Sequence, residues 1–205
     1  MKKIILFISL FLISMKVYAY ENKYFNIDIP ENYKLTENTE YMYKWDNNHK
    51  YVAITINSNL KTQFIIKDFS EDDLIKRKEY IEEGLNKGLE KYNIKATVSN
   101  MKKYITEDNS YLEYDIYYPT KEHTGYDTYQ KSRMYATKNY IMTLTYSSDK
   151  NLDEDTEYKT ILDSFKIIDT ELVIKDSYKK LIYIIVIVGT VLGLIGGIMS
   201  FKKRK

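Results

Sequence analysis

The distribution of apolar positions divides the chain into three parts. Residues 4–15 form an uncharged, largely apolar run, residues 181–201 contain no charge, and the long segment between them alternates apolar with polar positions. A helix over residues 181–201 would be about 30 Å long, which matches the hydrocarbon core of a bilayer. Residues 202–205 are all Lys or Arg, so the pattern predicts one transmembrane helix followed by a basic cytoplasmic tail.

The N-terminal run has the layout of a secretory signal peptide. Two lysines precede it, and Val17 and Ala19 put compact residues at the two positions that signal peptidase reads. Cleavage is expected between Ala19 and Tyr20, so that residues 1–19 leave the chain. Lys16, charged and close to this bond, keeps open the alternative of an uncleaved signal anchor, which would give the protein two spans. In both cases the middle of the chain is exported.

The alternating middle part predicts an α+β domain over residues 20–167, joined to the span by a juxtamembrane linker over residues 168–180. Ser70, followed by Asp73, opens an amphipathic helix that ends near residue 92. A second helix follows the acidic residues 149–156. The order of strands and helices predicts a mostly antiparallel sheet with helices packed on it. The strands are expected at residues 25–30, 41–45, 51–56, 64–66, 96–106, 112–118, 126–137 and 140–146.

Charge changes the picture of the exported part. The whole chain has 31 Lys and Arg, 29 Asp and Glu and a net charge of +2, but seven of the basic residues lie in the two terminal segments. Residues 20–180 therefore carry 24 basic and 29 acidic residues. This acidic balance excludes a nucleic-acid partner. The absence of cysteine excludes a thiol nucleophile and a thiolate metal site.

Motifs of enzyme chemistry are scarce in this sequence. The only histidines are His49 and His123, far apart in the chain, and no Gly-x-Ser-x-Gly elbow or glycine-rich phosphate loop is present. We expect a protein that is not an enzyme and that has no cofactor. The alternative is an envelope enzyme or metal-dependent module whose site is assembled from scattered residues.

One acidic stretch has part of a calcium-binding pattern. Asp149, Asn151, Asp153 and Asp155 occupy alternate positions, as the first ligands of an EF-hand loop do. The pattern then fails, because Glu154 stands where the motif needs glycine. These four residues are weak calcium candidates, and carboxylates at a helix N-terminus are the simpler interpretation.

Residues 119–127 form the candidate partner loop. This connection joins two predicted strands, is longer than a tight turn requires, and contains His123 and Tyr126. It is therefore the expected binding surface of the exported domain.

Glycines in the predicted span indicate helix packing. Gly189, Gly193 and Gly197 recur at every fourth residue, which aligns them on one helix face and permits close approach of a second helix. A homo-oligomer or a hetero-oligomer through this face is expected. Gly193→Ile should abolish the association, and unchanged crosslinking of that variant would contradict the expectation.

Two short stretches resemble the PsbP-like/Mog1-like family. Residues 25–33, Phe-Asn-Ile-Asp-Ile-Pro-Glu-Asn-Tyr, are similar to its opening strand, and residues 161–167, Ile-Leu-Asp-Ser-Phe-Lys-Ile, to its closing helix-to-strand junction. The resemblance covers about residues 24–167 and implies an antiparallel sheet sandwiched by helices. Members of that family have unlike roles, so the resemblance implies a non-catalytic binding scaffold and no specific ligand.

These inferences lead to one expectation about function. The chain is predicted to be a single-pass protein of a bacterial cell membrane, with the domain outside and the C-terminus in the cytoplasm. The domain is expected to bind a protein or another envelope partner. A flat aromatic patch would favour this hypothesis, and a polar cleft with converging carboxylates would favour the enzyme alternative.

Overall fold

The computed structural model describes residues 17–59, 64–107 and 109–168. These residues form a seven-stranded sheet with the order β3-β4-β5-β9-β8-β7-β6 and a three-stranded sheet with the order β1-β2-β10. All strand pairs are antiparallel. The strands are β1 Val17–Glu21, β2 Phe25–Pro30, β3 Lys34–Asn38, β4 Met42–Asn47, β5 Lys50–Ser58, β6 Thr97–Ile105, β7 Ser110–Tyr118, β8 Thr128–Ala136, β9 Tyr140–Ser148 and β10 Lys166–Ile167. The helices are α1 Glu71–Leu89, α2 Lys121–Thr124 and α3 Glu157–Ser164.

Both hairpins predicted from the sequence are confirmed. Strands β4 and β5 turn at Asn48 and His49, and Asn48 has the positive φ of 53° that asparagine tolerates better than most residues. Strands β8 and β9 turn at residues 138–139, where the Thr137 N–H donates to the Tyr140 carbonyl at 2.9 Å. The strands of the first hairpin extend further into the predicted polar loop, which leaves a tight turn.

Helix α1 covers one face of the seven-stranded sheet. The predicted capping box is present, because Ser70 Oγ accepts from the Asp73 N–H and the Asp73 carboxylate accepts from the Ser70 N–H. Leu85 and Leu89 pack against Val98 and the other buried side chains of β6 and β7. Their spacing along the helix confirms the amphipathic pattern of the sequence.

The second face of the large sheet is covered by helix α3 and by the three-stranded sheet. The alternating residues Phe25, Ile27 and Ile29 of β2 are all buried against it. An aromatic cluster joins the two sheets: the Phe25 ring lies 5.0 Å from that of Tyr43, and the Tyr20 ring of β1 lies 5.0 Å from that of Trp45. The prediction that helices cover both faces of the sheet is therefore confirmed for the face under α1 only. On the other face, the three-stranded sheet forms much of the cover beside α3.

Several elements differ from the sequence-based expectation. Residues 64–66 do not form the predicted strand, because Ile66 begins a short 3₁₀ turn that buries it against Leu74 and Leu112. Strands β1 and β3 and helix α2 were not expected, whereas β10 follows α3 as the resemblance implied for the helix-to-strand junction at residues 161–167. Strand β3 is exposed along its whole length, so it has no alternation of apolar residues to reveal it.

Some predictions fall on residues outside the described part of the chain. They are most of the signal peptide, the span at residues 181–201 with Gly189, Gly193 and Gly197, and the basic tail. Among the helices of the described residues, none has the length and apolar character needed to cross a membrane.

Different turns and connections lie at the two ends of the large sheet, which we call the loop end and the exit end. The loop end carries the β4–β5 turn, the β7–β8 connection at residues 119–127 and the β9–α3 connection at residues 149–156. The exit end carries the β8–β9 turn and the end of β10. Because α3 runs from the loop end towards the exit end, it connects the two.

Candidate functional site

The candidate partner loop at residues 119–127 is internally ordered. It begins with α2 and turns at Gly125, whose φ of 88° lies in the left-handed region that favours glycine. A Cβ atom built on Gly125 would meet nothing within 4 Å. Glycine is therefore favoured at this position by the backbone conformation and not by a lack of space.

Three buried threonines hold this loop from the inside. Thr120 Oγ1 donates to the Tyr126 carbonyl at 2.9 Å, and Thr124 Oγ1 donates to the same oxygen at 2.7 Å. Thr120 Oγ1 also lies 3.0 Å from Thr128 Oγ1. Since these hydroxyls are buried and each has a partner inside the loop, the connection is preorganised and not a loose insertion.

Two pairs of aromatic rings lie at the loop end. The His49 ring contacts the Tyr126 ring with a centroid distance of 4.7 Å and an interplanar angle of 61°. Tyr117 and Tyr129 face each other across β7 and β8 with a centroid distance of 5.2 Å. We call His49, Tyr117, Tyr126 and Tyr129 the aromatic rim.

Asp127 connects the aromatic rim to the loop backbone. Its Oδ2 accepts a hydrogen bond from the Tyr117 hydroxyl at 3.1 Å, and its Oδ1 accepts from the Lys121 N–H at 3.1 Å. Tyr117, Tyr126 and Tyr129 are half-buried, and His49 is exposed. The tyrosine rings are therefore fixed in position and still reach solvent.

A charged cluster lies at the same end of the sheet. Lys50 Nζ is 2.8 Å from Asp155 Oδ2 and 2.8 Å from Glu157 Oε2. The same Asp155 oxygen accepts from the Tyr146 hydroxyl at 2.7 Å and from Ser148 Oγ at 2.8 Å. We call these five residues the Lys50 cluster. It fastens the start of α3 to strands β5 and β9.

Burial and hydrogen bonding shift the pKa values in this cluster. Burial raises the pKa of the Asp155 carboxyl, but hydrogen bonds led by the one from Lys50 outweigh it, and the pKa lies below its usual value. Burial lowers the pKa of Lys50, but its hydrogen bonds to Asp155 and Glu157 raise it overall. Burial, followed by the nearby Tyr33, holds the pKa of Tyr146 well above its usual value. Lys50 and Asp155 are therefore charged and paired with each other at neutral pH.

The four calcium candidates are separated by this arrangement. Asp155 turns inward to Lys50, whereas Asn151 Oδ1 accepts from the Asp153 N–H at 3.1 Å. Asp149 lies near Tyr126, whose pKa is raised by burial and by that charge. Within the described part of the chain, no group of three or more His, Asp or Glu side chains is arranged to hold a metal ion.

The two partner-loop candidates lie in different environments. Tyr126 belongs to the aromatic rim, while His123 is exposed on helix α2. The loop therefore brings Tyr126 together with His49, which the sequence analysis treated only as one of two distant histidines.

A row of ion pairs adjoins the rim on β7 and β8. Lys131 Nζ lies 2.5 Å from Asp115 Oδ1, and Arg133 Nε lies 2.7 Å from Glu113 Oε2. Arg133 Nη2 is also 2.7 Å from Asp163 Oδ1 of α3. These charges are therefore paired with each other across β7 and β8 and with α3.

The sequence analysis missed most of the rim and the cluster. The alternation of β7, with buried Ile116 and Tyr118, indicates that Tyr117 lies on the opposite face, so this residue could have been found. Lys50 has no comparable local signal, since its partners Asp155 and Glu157 are far away in the sequence, Glu157 by 107 residues.

These features define a class of protein: an antiparallel α+β sandwich with a preorganised aromatic surface at one end. No protein-family model matches the chain, and no characterised protein matches it in sequence. Among solved structures, it is similar to the solution structure of cyanobacterial PsbP (CyanoP) from Synechocystis sp. PCC 6803. The TM-score is 0.55 and the identity 8%, over 74% of this chain and 91% of that one.

Two further structures are more distant. One is a protein from Bacteroides thetaiotaomicron VPI-5482, with a TM-score of 0.46 and 9% identity over 74% of this chain and 48% of that chain, so the present chain spans about half of it. The other is PA94 from Pseudomonas aeruginosa, with a TM-score of 0.40 and 10% identity over 80% of this chain and 99% of that chain. The domain has a PsbP-like fold, as the resemblance implied. Identity this low defines the fold alone.

Proposed function

We propose that the protein is a membrane-anchored extracytoplasmic interaction module that binds a protein partner through the aromatic rim. The anchor is the span predicted at residues 181–201, and the binding surface is the loop end of the domain. The proposed role is one of binding, and the paired charges of the Lys50 cluster serve to fasten α3 to the sheet.

One observation carries the proposal: the loop that presents Tyr126 is ordered before any partner binds. Thr120 and Thr124 both donate to the Tyr126 carbonyl from buried positions. A preorganised loop loses little conformational entropy on binding, which leaves more of the contact energy for affinity. Tolerated surface insertions have no need of such buried hydroxyl pairs.

The chemistry of the rim suits a protein surface. Tyrosine rings offer apolar faces and a polar edge, and tyrosine is enriched at the centres of protein interfaces. The charges beside the rim are paired with each other, and the exported part is acidic overall. A polyanionic partner therefore gains little attraction, whereas a partner surface with apolar and hydrogen-bonding groups fits the rim.

The test is crosslinking of the tagged full-length protein in intact cells, with adducts identified by mass spectrometry. The rim variant combines Tyr126→Ala with Tyr129→Ala. The matched control is Tyr104→Ala, which removes an exposed tyrosine stacked on Tyr111 at the other end of the sheet. Thermal unfolding of each variant shows whether the domain remains folded.

We expect a discrete adduct in the wild type and in the control. Loss of two central interface residues of about 2 kcal/mol each should reduce the adduct at least about tenfold in the rim variant. An adduct of equal strength in a folded rim variant, or no adduct in the wild type, would overturn the proposal.

A further inference from the structure

The chain leaves the domain at the exit end, opposite the aromatic rim. Ile167 pairs with Phe25, and the Ile168 N–H donates to the Tyr24 carbonyl at 2.8 Å. Phe165, just before β10, lies 5.1 Å from the ring of Tyr135 near the end of β8. The last described residue, Ile168, therefore lies at the exit end, and 12 residues, 169–180, separate it from the predicted span.

The distance between the two ends is comparable with the reach of these 12 residues. Strand β8 has 9 residues, which corresponds to a length of about 30 Å. Twelve residues extend to about 40 Å at most. To bring the loop end to the bilayer, the linker would have to run back along the whole domain at nearly full extension. The opposite orientation needs no such path.

The N-terminus has the reverse geometry. Val17 pairs with Pro30, which lies next to the turn that leads to Tyr33 at the loop end, and Tyr33 donates to Glu157 at 3.2 Å. An uncleaved apolar run at residues 4–15 would end two residues before Val17 and would tether the loop end to the membrane. Cleavage after Ala19 removes that tether and leaves Tyr20, whose ring packs on Trp45, in β1.

From this geometry we infer that the mature protein stands with its exit end at the bilayer and its aromatic rim facing away from it. The inference rests on the proposed function for its consequence: the partner is a protein of the outer envelope or the surroundings that approaches from outside. Lipid headgroups and the membrane-embedded parts of neighbouring proteins would lie at the exit end and could not reach the aromatic rim.

The absence of cysteine makes the orientation directly measurable. Lys121→Cys puts a single thiol at the loop end, and Lys138→Cys puts one at the exit end; both positions are exposed. Each full-length variant, purified from cells, is reconstituted in vesicles whose lipids carry an energy acceptor. A membrane-impermeant donor fluorophore then labels only the outward-facing molecules. Energy transfer to the lipid reports the height of each thiol above the bilayer.

We expect transfer from position 138 to be at least twofold more efficient than transfer from position 121. Equal transfer from the two positions would overturn the inference. Reversed transfer would also overturn it, and an intact mass that retains residues 1–19 would then assign the reversal to an uncleaved anchor. The height measurement uses no partner, so failure of the proposed function is seen separately as an unchanged adduct in the rim variant.

Discussion

At the scale of single residues, Asp155 holds the largest share of the polar contacts at the loop end. One carboxylate oxygen accepts from Lys50, Tyr146 and Ser148, and the other accepts from the Glu157 N–H at 3.2 Å. Its side chain is only 5% exposed. A buried carboxylate with this many donors stabilises the fold only as long as all of its partners remain.

Asp155→Asn should lower the free energy of unfolding by about 2–4 kcal/mol, because it removes one of the two carboxylates paired with Lys50 and weakens the buried acceptor of the Tyr146 and Ser148 hydroxyls. Urea unfolding followed by circular dichroism measures the change. Asp153→Asn is the matched control, since Asp153 is exposed, and it should change stability by less than about 0.5 kcal/mol. Equal effects of the two substitutions would contradict this account of the Lys50 cluster.

The lowered pKa of Asp155 predicts how stability depends on pH. In the unfolded chain this carboxyl takes up its proton near its ordinary pKa of 3.8, whereas in the folded state it does so only at lower pH. Its contribution is therefore fully present above about pH 4 and is lost as the pH falls through the lowered value. Unfolding free energies measured from pH 6 downwards should decrease less steeply in Asp155→Asn than in the wild type. Parallel curves for the two proteins would show that another group controls acid unfolding.

Residue identities predicted only part of this site. The acidic segment at residues 149–156 was recognised, but as a weak calcium pattern or a helix cap. Its main partner, Lys50, follows a hairpin turn early in the chain, and no local periodicity relates the two segments. Contacts between distant segments depend on how the sheets pack, which a one-dimensional pattern does not contain.

At the scale of elements, the connection at residues 119–127 illustrates how a loop can be as well ordered as a strand. Its buried threonines replace the hydrogen bonds that a sheet would supply. The left-handed turn at Gly125 then brings Tyr126 back towards His49. The position of Tyr126 in the aromatic rim therefore depends on one backbone conformation.

Gly125→Ala should destabilise the domain by about 1–2 kcal/mol, because alanine is strained at a φ of 88° although its Cβ meets no atom. Gly125→Asn is the control, since asparagine tolerates the left-handed region better and should retain more of the stability. Urea unfolding measures both variants. An alanine variant as stable as the wild type would indicate that the turn does not require this conformation.

Elements with a regular pattern were predicted well from the sequence, and elements without one were not. Strand β2 was found because Phe25, Ile27 and Ile29 alternate, and α1 because its capping box precedes a 3.6-residue period. Strand β3 is exposed on both faces, so its sequence has no alternation of apolar residues that would predict a strand. The apolar residues 64–66 wrongly predicted a strand, because Ile66 is buried by tertiary packing in a 3₁₀ turn.

At the scale of the whole molecule, the strands of the large sheet separate two ends of the domain. The exit end leads towards the predicted span, and the loop end carries the aromatic rim. The fold class and the PsbP-like resemblance followed from the sequence. The placement of the aromatic rim at one end and of the chain exit at the other could not be predicted from the sequence, because it depends on the strand register and on the position of Ile168.

The most direct test of the central claim is site-specific photo-crosslinking in living cells. A photoreactive phenylalanine analogue replaces Tyr126 of the β7–β8 connection in one full-length variant and Tyr104 of β6, near the exit end, in another. We predict that light links a discrete protein partner to position 126 and not to position 104. A partner captured from position 104 and absent from position 126 would contradict the assignment of the aromatic rim as the binding surface.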